Sequence, residues 1–237
     1  MILPECPLRM LCLMLLALCV PFADGCRKDE QEQRNAFIEF LERDSTAVGT
    51  DRIQMSDEVR NKIGKYGSHF DLIVTYSKEL SDINARLAEE KTRIAARGAV
   101  PMNKLGSERS RIEQIVAALS RSAQHVEAVK AKADAARAAL KQPEDVQAAF
   151  GRVYEREVSG YAAASRDLYA VQKDFYAEAL RMGTFIEKHK DKIQFKNKTV
   201  TIDDQSILNE YNVLQKILWE KSQKMQAVLA SGRPAAR

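Results

Sequence analysis

The sequence predicts an all-α fold, an elongated antiparallel bundle of long helices with a small β-hairpin before the last helix. Three observations carry this prediction. Apolar residues recur every three or four positions through nearly the whole chain after Cys26, which is the helical period. Ile112, Leu119, Val126, Ala133 and Leu140 repeat at sevens, the spacing of a helix seam. Only Lys192–Ile202 departs, with Ile193, Phe195, Val200 and Ile202 alternating around Lys196-Asn197-Lys198, a hairpin pattern.

Residues 1–25 read as a leader. Arg9 precedes an eleven-residue apolar run, Met10–Val20, too short to span a bilayer and of signal-peptide length. Pro21–Gly25 breaks the run and leads to Gly25-Cys26. A lipoprotein signal places small residues before a cysteine that receives the lipid; Gly25 and Ala23 suit it, and Asp24 departs from it. Ala23 and Gly25 also fit ordinary secretory cleavage, so processing has two readings, lipidation at Cys26 or soluble secretion. All four cysteines lie at positions 6, 12, 19 and 26, so a chain starting at Cys26 has no internal disulfide and depends on apolar packing.

Residues 26–230 form a single helical domain, and Ser231–Arg237 a frayed tail. The first helix is expected at Gln31–Arg43, facing inward with Ala36, Phe37, Phe40 and Leu41, after a short charged tether, Arg27–Glu30. Ser45–Gln54 is a polar loop. Ser56, followed by Asp57 and Glu58, caps a long helix whose stripe runs Val59, Ile63, Tyr66, Phe70, Ile73, Leu80, Ile83, Leu87 and Ile94. Gly98 and Pro101 end it, and Gly64 and Gly67 are candidate kinks. The third helix, Ser107–Lys141, is the alanine-rich heptad, stopped near Pro143. The fourth places Tyr154, Tyr161, Leu168, Phe175 and Met182 at sevens, with a bend at Ser159-Gly160. Large rings opposite a small-residue seam make helices three and four an antiparallel pair turning at Gln142-Pro143. Asp203 or Asp204 caps the last helix, with Ile207, Tyr211, Leu214, Leu218, Met225 and Val228 as its stripe.

Several short stretches resemble the YiaF-like bacterial lipoproteins, a domain of unknown function. They are Gln33-Arg34, Ala36-Phe37-Ile38 and Phe40-Leu41; Ala133-Asp134-Ala135-Ala136 and Ala139-Leu140-Lys141-Gln142 with Asp145; and Glu210-Tyr211-Asn212. Their order and spacing, more than any one piece, carry the likeness, which spans most of the chain after Cys26. The resemblance implies a mostly helical envelope lipoprotein and transfers no catalytic residue.

Chemistry is sparse. His69, His125 and His189 stand on separate segments, and no Glu-x-x-His or H-E-x-x-H occurs, so no metal site and no cofactor is expected. There is no G-x-S-x-G, and Gly64-Lys65-Tyr66-Gly67 lacks P-loop spacing. Removing Glu5, Arg9 and Asp24 with the leader raises the net charge from +4 to +5, mild and interleaved, which speaks against nucleic acid. The one cationic cluster is Lys188, Lys190, Lys192, Lys196 and Lys198, with His189, at a helix end and the hairpin. Cations suit a helix C-terminus; the sharper reading is a contact with anionic headgroups or an acidic partner. The function expected is a non-catalytic helical interaction or scaffold module, lipid-anchored at Cys26 and facing the periplasm. Its partner is an unknown envelope protein or polymer, and Arg27 after Cys26 favours the outer membrane over the inner. Leftover heptad faces allow a homo-oligomer. The alternative is a soluble periplasmic, chaperone-like binder of apolar segments.

Overall fold

The computed structural model describes residues 22–43, 55–196 and 199–231, and leaves aside the side chains of residues 22–28, 97 and 231. The apolar leader run, the loop Ser45–Gln54, the hairpin turn at Asn197-Lys198 and the tail past Ser231 lie outside the described residues.

The fold is all-α with one two-stranded hairpin, as the periodicity requires. Helix α1 is Phe22–Arg43, longer than the expected Gln31–Arg43. The segment expected as a tether, Arg27–Glu30, is helical: Arg, Lys and Glu are good helix formers, and no proline follows Pro21 there. Helix α2 (Asp57–Ile63) is capped by Ser56, whose hydroxyl accepts from the Val59 amide at 3.3 Å. The long rod expected from Asp57 to Arg97 is broken at Gly64, whose φ of 51° only glycine adopts readily, by the 3₁₀ turn Gly64–Tyr66. Helix α3 (Gly67–Ile94) follows and ends in a second 3₁₀ turn, Ala95–Arg97.

Helix α4 is Arg109–Ala138 and α5 is Glu144–Tyr154, with Pro143 at its cap. The bend expected at Ser159-Gly160 is a π-helical turn, Glu155–Gly160, that leads without interruption into α6 (Tyr161–Lys188). Strands β1 (Ile193–Lys196) and β2 (Thr199–Ile202) pair antiparallel, Ile193 opposite Ile202 and Phe195 opposite Val200. Helix α7 (Gln205–Ser231) starts at Asp204, whose Oδ1 accepts from the amides of Ser206 (3.0 Å) and Ile207 (3.3 Å).

Cross-helix contacts fix the directions. Arg137–Glu155 (2.7 Å) and Arg166–Glu127 (3.4 Å) run α4 antiparallel to α6 and the turn before it. Arg121–Glu90 (2.6 Å) ties α4 to α3, and Lys221–Asp174 (3.0 Å) sets α7 antiparallel to α6. Ser77 meets Glu157 and Asn84 meets Ser165, so α3 and α6 run parallel, with α4 reversed beside both. Arg34–Asp145 and Arg152–Glu42 lay α1 alongside α5 in the same sense.

Two apolar cores result. One joins α1, α2, α3, α5 and the adjoining parts of α4 and α6, where Phe37 stacks on Tyr66 at 5.3 Å and Phe40 meets Phe70 edge-on at 4.9 Å. Each such ring pair adds about 0.5–1.5 kcal/mol beyond its buried area. The other, at the opposite end, packs Leu105, Ile112, Met182, Ile186, Ile193 and Ile202 with the inward stripe of α7, Ile207, Tyr211, Leu214 and Leu218. Glu144–Lys188 is helical throughout, so the two ends stand about 65 Å apart at 1.5 Å per residue.

Candidate functional site

Cys26 lies in the first turns of α1, at the end of the molecule where α4 turns into α5. The cationic cluster lies at the other end. Lys188 closes α6, Lys190 and Lys192 lie between α6 and β1, and Lys196 ends β1; Lys198 is outside the described residues. Nearby acids divide the cluster. Lys190 pairs with Glu187 at 3.4 Å, and Lys192 with Asp204 at 3.0 Å. The Lys192 ammonium, with the amides of α7, holds the Asp204 carboxyl below its ordinary value. Lys188 and Lys196 alone stay out of ion pairs among the described members, and Asp191 and Asp203 are exposed at the base of the hairpin. The described part of the cluster is therefore a mixed-charge rim. Charge counting along the chain missed this because the neutralising Asp204 comes from the start of a different element.

A small cavity of about 220 Å³ opens beside that rim. Leu105 and Leu180 supply apolar wall, and Arg109, Thr184 and Lys188 the polar edge. Gly183 creates the close approach that shapes it: a Cβ there would sit 2.8 Å from the Leu105 carbonyl. Arg109 is already engaged, by Glu113 at 2.8 Å and Thr184 at 3.3 Å. The volume lies below the roughly 300–1,000 Å³ of ordinary ligand pockets.

The most developed polar constellation is one that the apolar stripes concealed. Ser77, Asn84 and Lys91 recur at sevens along α3 and face α6. Ser77 Oγ donates to the Glu157 carbonyl at 3.2 Å. Asn84 Nδ2 donates to the Tyr161 hydroxyl at 2.8 Å and to Ser165 Oγ at 3.1 Å, while its Oδ1 accepts from the Tyr169 hydroxyl. Lys91 Nζ donates to Gln172 Oε1, and Gln172 is only 3 % exposed. Burial lowers the Lys91 pKa and pushes Tyr169 up to about 12. Every member has a partner, as buried polar groups require. A satisfied ladder of this kind fixes how two helices sit together.

The three histidines stay apart. His69 packs edge-on to Phe37 and Tyr66, and burial followed by the Lys65 cation lowers its pKa. His189 caps the end of α6 against Phe185, and His125 is exposed on α4. Among the described residues no group of His, Cys, Asp and Glu converges as a metal site, and no helix is long and apolar enough to cross a membrane.

The family described as "Protein of unknown function (DUF3053)" matches residues 11–232, a span that takes in both cores, the polar ladder and the hairpin. The chain belongs to this family. It is 24% identical over 200 residues to the "Uncharacterized protein YiaF" of Escherichia coli strain K12, covering 83% of each chain. The protein of the same name from Shigella flexneri matches to the same extent. No solved structure matches it.

Proposed function

We propose that this protein is a lipid-anchored scaffold of the bacterial cell envelope, without catalysis, held at Cys26 and extended into the periplasm as a helical rod. The observation that carries the reading is the Met10–Val20 apolar run closing on Gly25-Cys26, with no cysteine after it. A diacylglyceryl thioether and an acylated amine at Cys26 supply enough chains for stable attachment. Arg27 in the next position favours the outer membrane. Bacterial relatives and the rod architecture, with an anchor position at one end and a mixed-charge hairpin at the other, fit a protein that spaces or bridges partners.

Intact mass of the processed N-terminus, from a bacterial host grown with and without a lipoprotein signal-peptidase inhibitor, tests it. The expected result is a lipid-modified Cys26 that disappears on inhibition. An unmodified terminus at Cys26 or Arg27 overturns the anchor and makes the protein a soluble secreted one.

A further inference from the structure

The row that α6 turns inward is one residue out of step with the row its sequence repeats. The repeat runs Tyr154, Tyr161, Leu168, Phe175 and Met182. Tyr154 is fully buried, but beyond the π turn Tyr161, Leu168 and Phe175 are only half-buried. Along the row one residue later, Ala162, Tyr169 and Gly183 are buried and Tyr176 is half-buried like Phe175; the two rows merge at Met182-Gly183. The π turn Glu155–Gly160 is the cause, because it takes up one residue more than an α-helical turn and advances every downstream position by about 100°.

We infer that Glu155–Gly160 is a register switch, with the Ser77–Asn84–Lys91 ladder of α3 as the lock that holds it in the π state. The ladder fits that state. With a regular α turn, Ala164, Leu168 and Val171 would stand where Ser165, Tyr169 and Gln172 now meet α3, so that Asn84 would lose two of its three partners and the Lys91 ammonium would face an apolar group. The regular turn has its own reward, a full inward row of Tyr161, Leu168 and Phe175. Polar residues on a helix seam select one register among alternatives, and here they select against the more apolar one. Ser77 acts on the turn itself, donating to the Glu157 carbonyl from a helix 80 residues away in sequence. Gly160 is suited to the turn, since a Cβ there would stand 3.2 Å from the Glu155 carbonyl oxygen. Arg137 from α4 holds the Glu155 carboxylate at 2.7 Å, so two neighbouring helices grip the same turn. Unlocking rotates the distal half of α6, with the hairpin and α7 packed on it, relative to the end that carries Cys26. Two discrete packings of one seam are the physical basis of such a switch.

The test uses the full chain in detergent, labelled with 3-fluorotyrosine and followed by ¹⁹F NMR, with Tyr→Phe variants assigning the resonances. In the wild type, Tyr169 is shielded from water and Tyr161 partly accessible. The double variant Asn84→Leu/Lys91→Leu should exchange these roles, Tyr161 becoming shielded and Tyr169 accessible. A folded double variant that keeps the wild-type pattern overturns the switch. Should the double variant not fold, Ser77→Ala decides, because it removes one hydroxyl and leaves the core untouched. Amides 155–160 should then exchange at least tenfold faster while those of α5 keep their wild-type rates; unchanged exchange in 155–160 overturns the proposal.

Discussion

Ala133 shows how little side chain this fold needs at its tightest contacts. It is fully buried on α4, in the small-residue seam expected to let large rings approach, and Tyr154 across that seam is also at zero exposure. Ala133→Glu would force a larger, charged side chain into this closed seam, at a cost of about 3 kcal/mol or more. A thermal melt showing the wild-type midpoint in that variant would mean the seam faces water. His69 governs a different property. Its ring is half-buried, and with the Gln142 amide donating across 3.1 Å, Nδ1 accepts, which a protonated ring cannot do. Burial, then Lys65, sets its folded pKa below 6.5. The unfolded chain binds more protons at this site, so the contribution is present in full above 6.5 and is lost as pH falls through the depressed folded value. Urea midpoints should drop between pH 7.5 and pH 5, and His69→Gln should flatten part of that drop; an equal drop in both proteins would assign the loss to other groups.

At the scale of elements, the junction between hairpin and α7 rests on one carboxylate. Asp204 caps two amides of α7 and pairs with Lys192 before β1, so it joins both arms of the hairpin to the helix that follows. Asp204→Ala should lower stability through loss of the helix cap, with the exposed ion pair adding little. Chemical denaturation measures it directly, and Asp203→Ala is the silent control. Element existence was legible throughout the sequence because each helix carries a long apolar stripe, and Ser56, Gly98, Pro143 and the Asp203-Asp204 pair mark ends. Phase was not. The heptad of α6 names Tyr161, Leu168 and Phe175 as core, whereas the structure buries Ala162 and Tyr169, because a π turn shifts register without leaving a residue type that announces it. The polar ladder went unread for a related reason. Ser77, Asn84 and Lys91 look like gaps in an apolar stripe until α6, some 80 residues on, supplies their partners. The lysine cluster was legible as a run of charges, but the acids that pair with Lys190 and Lys192 come from a neighbouring turn and from the start of α7, which adjacency in sequence does not reveal.

At the scale of the whole molecule, the continuous helical run from Glu144 to Lys188 separates the anchor position from the hairpin by about 65 Å. Arg34–Asp145 and Arg152–Glu42 bind α1 alongside α5, so the direction of α1 is tied to the long axis of the rod. Glu30–Lys65 at 2.6 Å extends that hold to the turn before α3. Under the proposed function, a lipid on Cys26 would attach the bundle by its end, with the hairpin pointing away from the membrane. The prediction is a difference in membrane proximity between two exposed sites, Lys141 in the turn between α4 and α5 and Gln194 on β1. Single fluorescent labels at these sites, on lipidated protein in vesicles carrying an acceptor lipid, should be strongly quenched at Lys141 and nearly unquenched at Gln194. Equal quenching would mean that the rod lies along the bilayer, which would bring Lys188 and Lys196 to the headgroups and restore the lipid reading of the tip. Charge reversal of Lys188 and Lys196 together separates the two arrangements further. It should leave vesicle retention unchanged for an upright rod anchored through Cys26, and weaken it for a rod whose tip rests on anionic lipid.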